Sequence, residues 1–209
     1  QTIGEDRHFL NGNGTLMAVE SYGNVSWMLH ENGLLRAYDR NQKKFIRQET
    51  FLQNRLKGDQ QVVIRMLDSG DFWIAWNAGT GFYMCATHEW KEIALQSSEY
   101  VCINSCDVDL SGNLFIGTTG HGVYFIDKYN FSVTSADPFL STLGGRGYTN
   151  VHSIYVDKRN GTLWAGLFNR GLAYSHSSMN NFTLYNKSRI KGEWESEDVL
   201  CMLEIEDAS

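Results

Sequence analysis

Two stretches of this chain superpose without a gap: Ser111-Gly-Asn-Leu-Phe-Ile-Gly-Thr-Thr-Gly-His-Gly-Val-Tyr124 and Asn160-Gly-Thr-Leu-Trp-Ala-Gly-Leu-Phe-Asn-Arg-Gly-Leu-Ala173. In each, a turn glycine leads into Leu-aromatic-x-Gly, and a second glycine followed by an aliphatic residue comes 10 positions after the first. The stretch Gly70-Asp-Phe-Trp-Ile-Ala75, continued by Gly81-Phe-Tyr83, repeats the pattern with one extra loop residue. A more divergent copy runs from Gly23 through Val25-Ser26-Trp27 to Gly33-Leu34-Leu35, with Ser26 and Met28 at the aromatic and second-glycine positions. The anchoring glycines Gly23, Gly70, Gly112 and Gly161 stand 47, 42 and 49 residues apart. A period in the forties is that of β-propeller blades, each a supersecondary unit that buries its faces only against neighbours.

Working outward, each copy is preceded by an apolar run that ends in an acid: Leu16–Glu20, Val62–Asp68, Val101–Asp107 and Val151–Asp157. Each is followed by a polar, ring-bearing segment such as Lys44-Phe45-Ile46 or Asn181–Tyr185. The unit therefore reads as four antiparallel strands. An inner strand covered on both faces is apolar nearly throughout, which explains the unbroken runs. A large ring beside a small residue suits packing of one sheet on the next, so Trp73, Phe115 and Trp164 read as packing residues. The expected blades span 14–53, 60–97, 100–136 and 150–187 of one partial propeller over 1–209. Val199–Asp207 matches the inner strand of a fifth blade, so the chain is expected to be a fragment of a larger ring. Exposed blade edges would then invite self-association.

Composition agrees. Aromatics make up 13% and glycine contributes 20 residues against a single proline, Pro138, a balance that favours pleated strands and tight turns. Charged residues at 20% and hydrophobic ones at 42% are globular values. The net charge of −6 argues against a nucleic-acid or anionic-membrane partner. No apolar run approaches the roughly 18 residues of a membrane span. Cys85, Cys102, Cys106 and Cys201 lack metal or redox spacing and are expected to be small core residues.

The pattern complete at Val151–Tyr174, Val-x-Ser-Ile-Tyr-x-Asp-Lys-x-x-Gly-x-Leu-Trp-x-Gly with Gly-Leu-x-x-Tyr, resembles the two-component regulator propeller repeat. Val101–Phe125 and Val62–Tyr83 carry it more loosely. That resemblance implies a periplasmic sensory region of the kind found in hybrid sensor kinases of Bacteroides-type bacteria. There the propeller precedes a membrane span and a kinase and detects carbohydrate breakdown products. WD-type and kelch-type signatures do not recur, and the Asp-x-Gly-x-x-Trp at Asp68–Trp73 is not kept in the other copies.

The sequence offers no catalytic constellation. The acids Glu20, Asp68, Asp107 or Asp109, and Asp157 fall at strand-to-turn positions, where carboxylates cap backbone amides. The six histidines show no metal-ligand spacing, and Gly144-Gly145-Arg146-Gly147 is not a phosphate loop. No enzyme, metal or cofactor is expected. Binding is the expectation instead, at the loops between second and third strands and those between blades. Candidate ligand residues there are Trp76, Asn77, Tyr100, His121, Arg146, Tyr148, Phe168, Asn169, Arg170 and Trp194. Rings beside Asn, His and Arg suit a sugar, which needs an apolar face to stack on and planar donors for its hydroxyls. The other reading is a structural or protein-interaction propeller with no small-molecule ligand.

Overall fold

The computed structural model describes residues 14–56, 61–77, 79–95, 100–135, 149–176, 182–186 and 198–202. Among the described residues sixteen strands form four sheets, each a four-stranded antiparallel meander in chain order. The first holds β1 (Leu16–Tyr22), β2 (Val25–His30), β3 (Leu35–Asp39) and β4 (Lys44–Glu49). The second holds β5 (Val62–Met66), β6 (Phe72–Trp76), β7 (Gly79–Met84) and β8 (Glu89–Ile93). β9 (Cys102–Val108), β10 (Leu114–Thr119), β11 (Val123–Ile126) and β12 (Val133–Ser135) make the third. The fourth is β13 (Val151–Asp157), β14 (Thr162–Leu167), β15 (Gly171–His176) and β16 (Thr183–Tyr185). The chain is all-β, and each sequence copy forms one blade.

The repeat places the same turn four times. Gly23, Gly70, Gly112 and Gly161 all have positive φ, between 55° and 84°, a conformation in which a Cβ is costly. Acids close this turn at two of the four sites. Gly112 N–H donates to the Asp109 carbonyl, and Asn113 N–H donates to its carboxylate. Gly161 N–H donates to the Asp157 carbonyl, with Arg159 N–H on the carboxylate. The Arg159 side-chain and backbone bonds hold the Asp157 carboxyl below the ordinary aspartate range. Of Asp107 and Asp109, Asp109 is the turn acid, while Asp107 accepts from the neighbouring Val108 N–H at 2.8 Å. It lies within β9, and its carboxylate accepts from Val156 N–H in β13 at 2.8 Å.

By their contacts the residues fall into two compact units, one made of residues up to Trp76 with Gly81–Glu92, the other of Asn77–Thr80 with the residues from Ile93 on. In the first unit the core is Trp27, Leu29, Leu35, Leu52, Ile64, Phe72, Ile74, Trp76 and Tyr83 with their neighbours. A column of rings runs through it: Trp27 to Phe72 at 4.8 Å, Phe72 to Tyr83 at 4.9 Å, Tyr83 to Phe51 at 5.5 Å, and Phe51 to Trp90 at 4.3 Å. Gly81 makes room for this column, since a Cβ there would stand 2.2 Å from the Trp90 ring. The divergent first copy thus still makes a complete sheet. Trp27 occupies the slot of Ile116 and supplies the apolar volume.

In the second unit Val123, Val151, Val156, Leu163, Ala165, Leu167, Ala173 and Leu184 form the centre of the core. The repeat glycine before the loop is where the next inner strand crosses. A Cβ at Gly117 would meet Val151 Cγ1 at 2.7 Å, and one at Gly166 would meet the Val199 carbonyl at 2.5 Å. An inner strand has one edge paired to its own blade and the other bare, and bare backbone groups must find partners. β9 supplies them for β13. Asn104 Nδ2 donates to the Val151 carbonyl at 2.9 Å, Ile154 N–H donates to Ser105 Oγ at 3.1 Å, and Val156 N–H to Asp107. In turn Ser153 Oγ donates to the Val199 carbonyl at 2.9 Å.

Of the fifth-blade strand expected at Val199–Asp207, only residues 199–202 are described. Residues 198–202 carry no ladder; side chains and loop amides of the fourth blade hold that segment, and 203–209 lie outside the described residues. The expectation that the cysteines are core residues holds for Cys106 alone. Cys85 and Cys102 are half-buried and Cys201 is exposed, all four as free thiols. Trp73 is fully buried. Phe115 and Trp164 are half-buried, each leaning on its own blade's next strand at Phe125 (5.1 Å) and Tyr174 (5.0 Å).

Candidate functional site

The loops expected to bind a ligand begin where inner strands start and second strands end. In the second unit three of these segments converge. β9 and β10 pair at Cys102 with Thr119, and β13 and β14 at Val151 with Leu167. Asn104 joins the two blades, one Nδ2–H on Thr119 Oγ1 and one on the Val151 carbonyl, each at 2.9 Å. Gly122 N–H donates to the Thr149 carbonyl and Phe168 N–H to that of Asn150. These bonds fix the β10–β11 turn and the β14–β15 turn against the residues just before β13.

On that frame stand several of the predicted residues. Phe168 is 43% exposed and stacks on His152, with ring centroids 5.0 Å apart and planes 21° from parallel. Asn169 has φ of 51°, and its N–H donates to the Asp198 carboxylate at 2.6 Å. A left-handed residue is uncommon outside glycine, and Asn tolerates it better than most. It turns the chain sharply enough to leave Phe168, Asn169 and Arg170 all exposed in one three-residue turn. His121 is half-buried between Gly120 and Gly122, both at positive φ. Tyr100, 56% exposed, precedes β9. The Phe168–His152 ring pair can stack on a ligand, and the exposed amide and guanidinium of the same turn are donors suited to a polyhydroxylated or anionic one.

Two predicted residues have structural work. Trp76 is the last residue of β6 rather than a loop residue. It is only 6% exposed and stacks on Trp90 at 6.2 Å, so it presents no open face. Asn77 Oδ1 accepts from Ile103 N–H at 2.9 Å, tying the loop to β9. Arg146, Tyr148 and Trp194 lie outside the described residues. Sequence reasoning passed over His152, Asn104 and Asp198. His152 and Asn104 are the residues skipped in the registers of their inner strands, between Val151 and Ser153 and between Ile103 and Ser105. The sequence runs Val101–Asp107 and Val151–Asp157 set them in different columns, so only the strand pairing marks them as equivalent. Among the described residues no group of three or more His, Cys, Asp or Glu side chains could hold a metal ion.

No protein-family model matches the chain, and no curated protein matches it in sequence. Solved structures do match its fold. The extracellular domain of BT4673 from B. thetaiotaomicron, described both as a one component and as a hybrid two component system, superposes with TM-scores of 0.64 and 0.62 at 17% identity. That match covers 90% of this chain and 24% of the other, so the chain spans about a quarter of that domain. The virginiamycin B lyase of Staphylococcus aureus superposes with a TM-score of 0.65 at 11% identity, over 86% of this chain and 58% of the lyase. The β-propeller domain of Cps50 (Swd1) from Myceliophteria thermophila does so at 0.60 and 13% identity, over 83% and 57%. The shared property is the β-propeller fold.

Proposed function

We propose that this chain is part of the extracytoplasmic sensor propeller of a membrane-anchored two-component regulator. On this reading the loop face of Tyr100, His121, His152, Phe168, Asn169 and Arg170 contributes to a site for a carbohydrate or another small polar molecule. The observation that carries it is the fold match over 90% of the chain to a two-component extracellular domain. The propeller repeat at Val151–Tyr174 supports it independently. The signal would pass to a kinase elsewhere in the parent protein, in a Bacteroides-type periplasm, and no catalytic residue, cofactor or nucleic acid enters this reading.

The site geometry explains what binding would require. His152 backs the Phe168 ring, so the ring's outer face is held ready for stacking without ordering a free side chain on binding. Titration calorimetry of the complete propeller against a panel of neutral and acidic oligosaccharides tests the proposal. Saturable heat that is lost in Phe168→Ala supports it, and silence across the panel refutes the ligand class. A second reading, a protein-interaction or self-associating propeller, draws on Leu16, Val19 and Tyr22 of β1, which are 42–48% exposed on one strand. Light scattering of the intact ectodomain tests the self-associating form of this reading, which a strict monomer removes.

A further inference from the structure

The first unit contains an opening that the loop face does not involve. Between the first and second sheets lies a cavity of about 260 Å³, walled by Tyr22, Val25, Trp27, Ala37, Ile46, Arg47, Met66, Gly70 and Cys85. Its origin is compositional. Val25 and Ala37 on one side meet Gly70 and Cys85 on the other, and four small residues cannot fill the gap that Trp27 and Phe72 close deeper in. Protein interiors rarely leave voids larger than a water. An engineered apolar cavity of roughly 150 Å³ stays dry and takes up one benzene, so this one has room for more than a single ring. It is reachable, because Tyr22 and Ile46 in its wall are 43% and 46% exposed.

Three polar side chains on the wall, Tyr22, Arg47 and Cys85, are already engaged within the protein. Tyr22 OH donates to the Asp68 carbonyl, and Cys85 Sγ–H to the Gly70 carbonyl at 3.0 Å. The Arg47 guanidinium is shared among Tyr83 OH, the His88 ring and the Glu49 carboxylate. A ligand that demanded hydrogen bonds or a counter-charge would have to break these contacts, and burying it unpaired is costly. An apolar, flat molecule loses nothing and gains contact with Trp27, Tyr22 and Met66. We infer that this inter-blade cavity is a binding site for a small uncharged aromatic molecule of one to two fused rings, separate from the loop face.

Cys85 gives a site-specific readout. The 209-residue protein is alkylated with N-ethylmaleimide at pH 9, with and without indole or naphthalene, and labelling at Cys85 and Cys201 is followed by peptide mass spectrometry. The expected result is saturable protection of Cys85, none at exposed Cys201, and a rise in melting temperature with ligand concentration. Val25→Phe and Ala37→Leu each fill the cavity, and a folded variant of either is expected to lose both protection and the rise. The inference is overturned if saturating aromatic leaves both the labelling of Cys85 and the melting temperature unchanged, or if protection persists in a filled, cooperatively folding variant. Should neither variant fold, the wild-type contrast between Cys85 and Cys201 still decides.

Discussion

Removing one hydroxyl tests how the ring column is anchored. Tyr83 is fully buried; its O–H donates to Glu49 Oε1 at 2.6 Å and accepts from Arg47 Nη1–H at 3.1 Å. Tyr83→Phe keeps every ring contact and deletes both bonds. Hydrogen bonds to charged groups contribute about 1.5–3 kcal/mol. Glu49 and Arg47 retain 23% and 31% side-chain exposure and face each other at 3.7 Å, so water and the ion pair recover part, leaving a loss of about 1–2 kcal/mol. At roughly 2–4 °C per kcal/mol for a chain of this size, melting falls by about 2–8 °C near neutral pH.

The same hydroxyl gives the loss a pH signature. Burial, then the bond to Glu49, pushes the Tyr83 phenol up to about 12, against about 10 in an unfolded chain. The folded state therefore favours the neutral phenol. That stability is complete below pH 10 and is lost as pH rises through the folded value. Phenylalanine cannot ionise, so the gap between wild type and Tyr83→Phe should close between pH 10 and 12. Urea unfolding at pH 7, 10 and 11.5 measures it. A variant as stable as wild type at pH 7, or one whose alkaline loss runs parallel to wild type, refutes the anchoring role.

Three further outcomes follow from the packing. Gly81→Ala should cost about 1–3 kcal/mol, because its Cβ would stand 2.2 Å from the Trp90 ring; Gly81→Ala with Trp90→Leu should recover much of it in chemical denaturation. Asp107→Ala should cost about 1–3 kcal/mol by stranding Val156 N–H, while Asp107→Asn keeps an acceptor and should cost less; equal losses refute the tie. Acidification should weaken the Asp157 turn. Its carboxyl is held low, so the contribution is present above the ordinary aspartate value near 4 and fades as pH falls through the lower folded value; proton titration by NMR at Asp157 checks the direction.

The blades were legible because a blade repeats. One glycine-spaced pattern, found at four positions, located sixteen strands, and even the copy with Ser26 and Met28 in the wrong slots folded as expected. The candidate site was only partly legible, since loops do not repeat. Trp76 stands at the strand-to-loop boundary in the sequence pattern, yet β6 includes it and its ring stacks on Trp90. His152 and Asp198 acquire meaning only through partners 16 and 29 residues away, Phe168 and Asn169. The cavity was invisible for a related reason. It is a deficit of volume, formed by Val25, Ala37, Gly70 and Cys85 from separate strands, and no one of them is unusual alone.

The side-chain ties between β9 and β13 limit what duplication can do with such a chain. Asn104, Ser105 and Asp107 are written in one copy, but the amides and carbonyl they satisfy belong to the next. A blade moved, deleted or exchanged within the array would arrive with its core intact and its edge addressed to the wrong neighbour. Adjacent copies therefore have to drift together, and order along the chain is encoded in polar atoms even where the apolar pattern would accept any permutation.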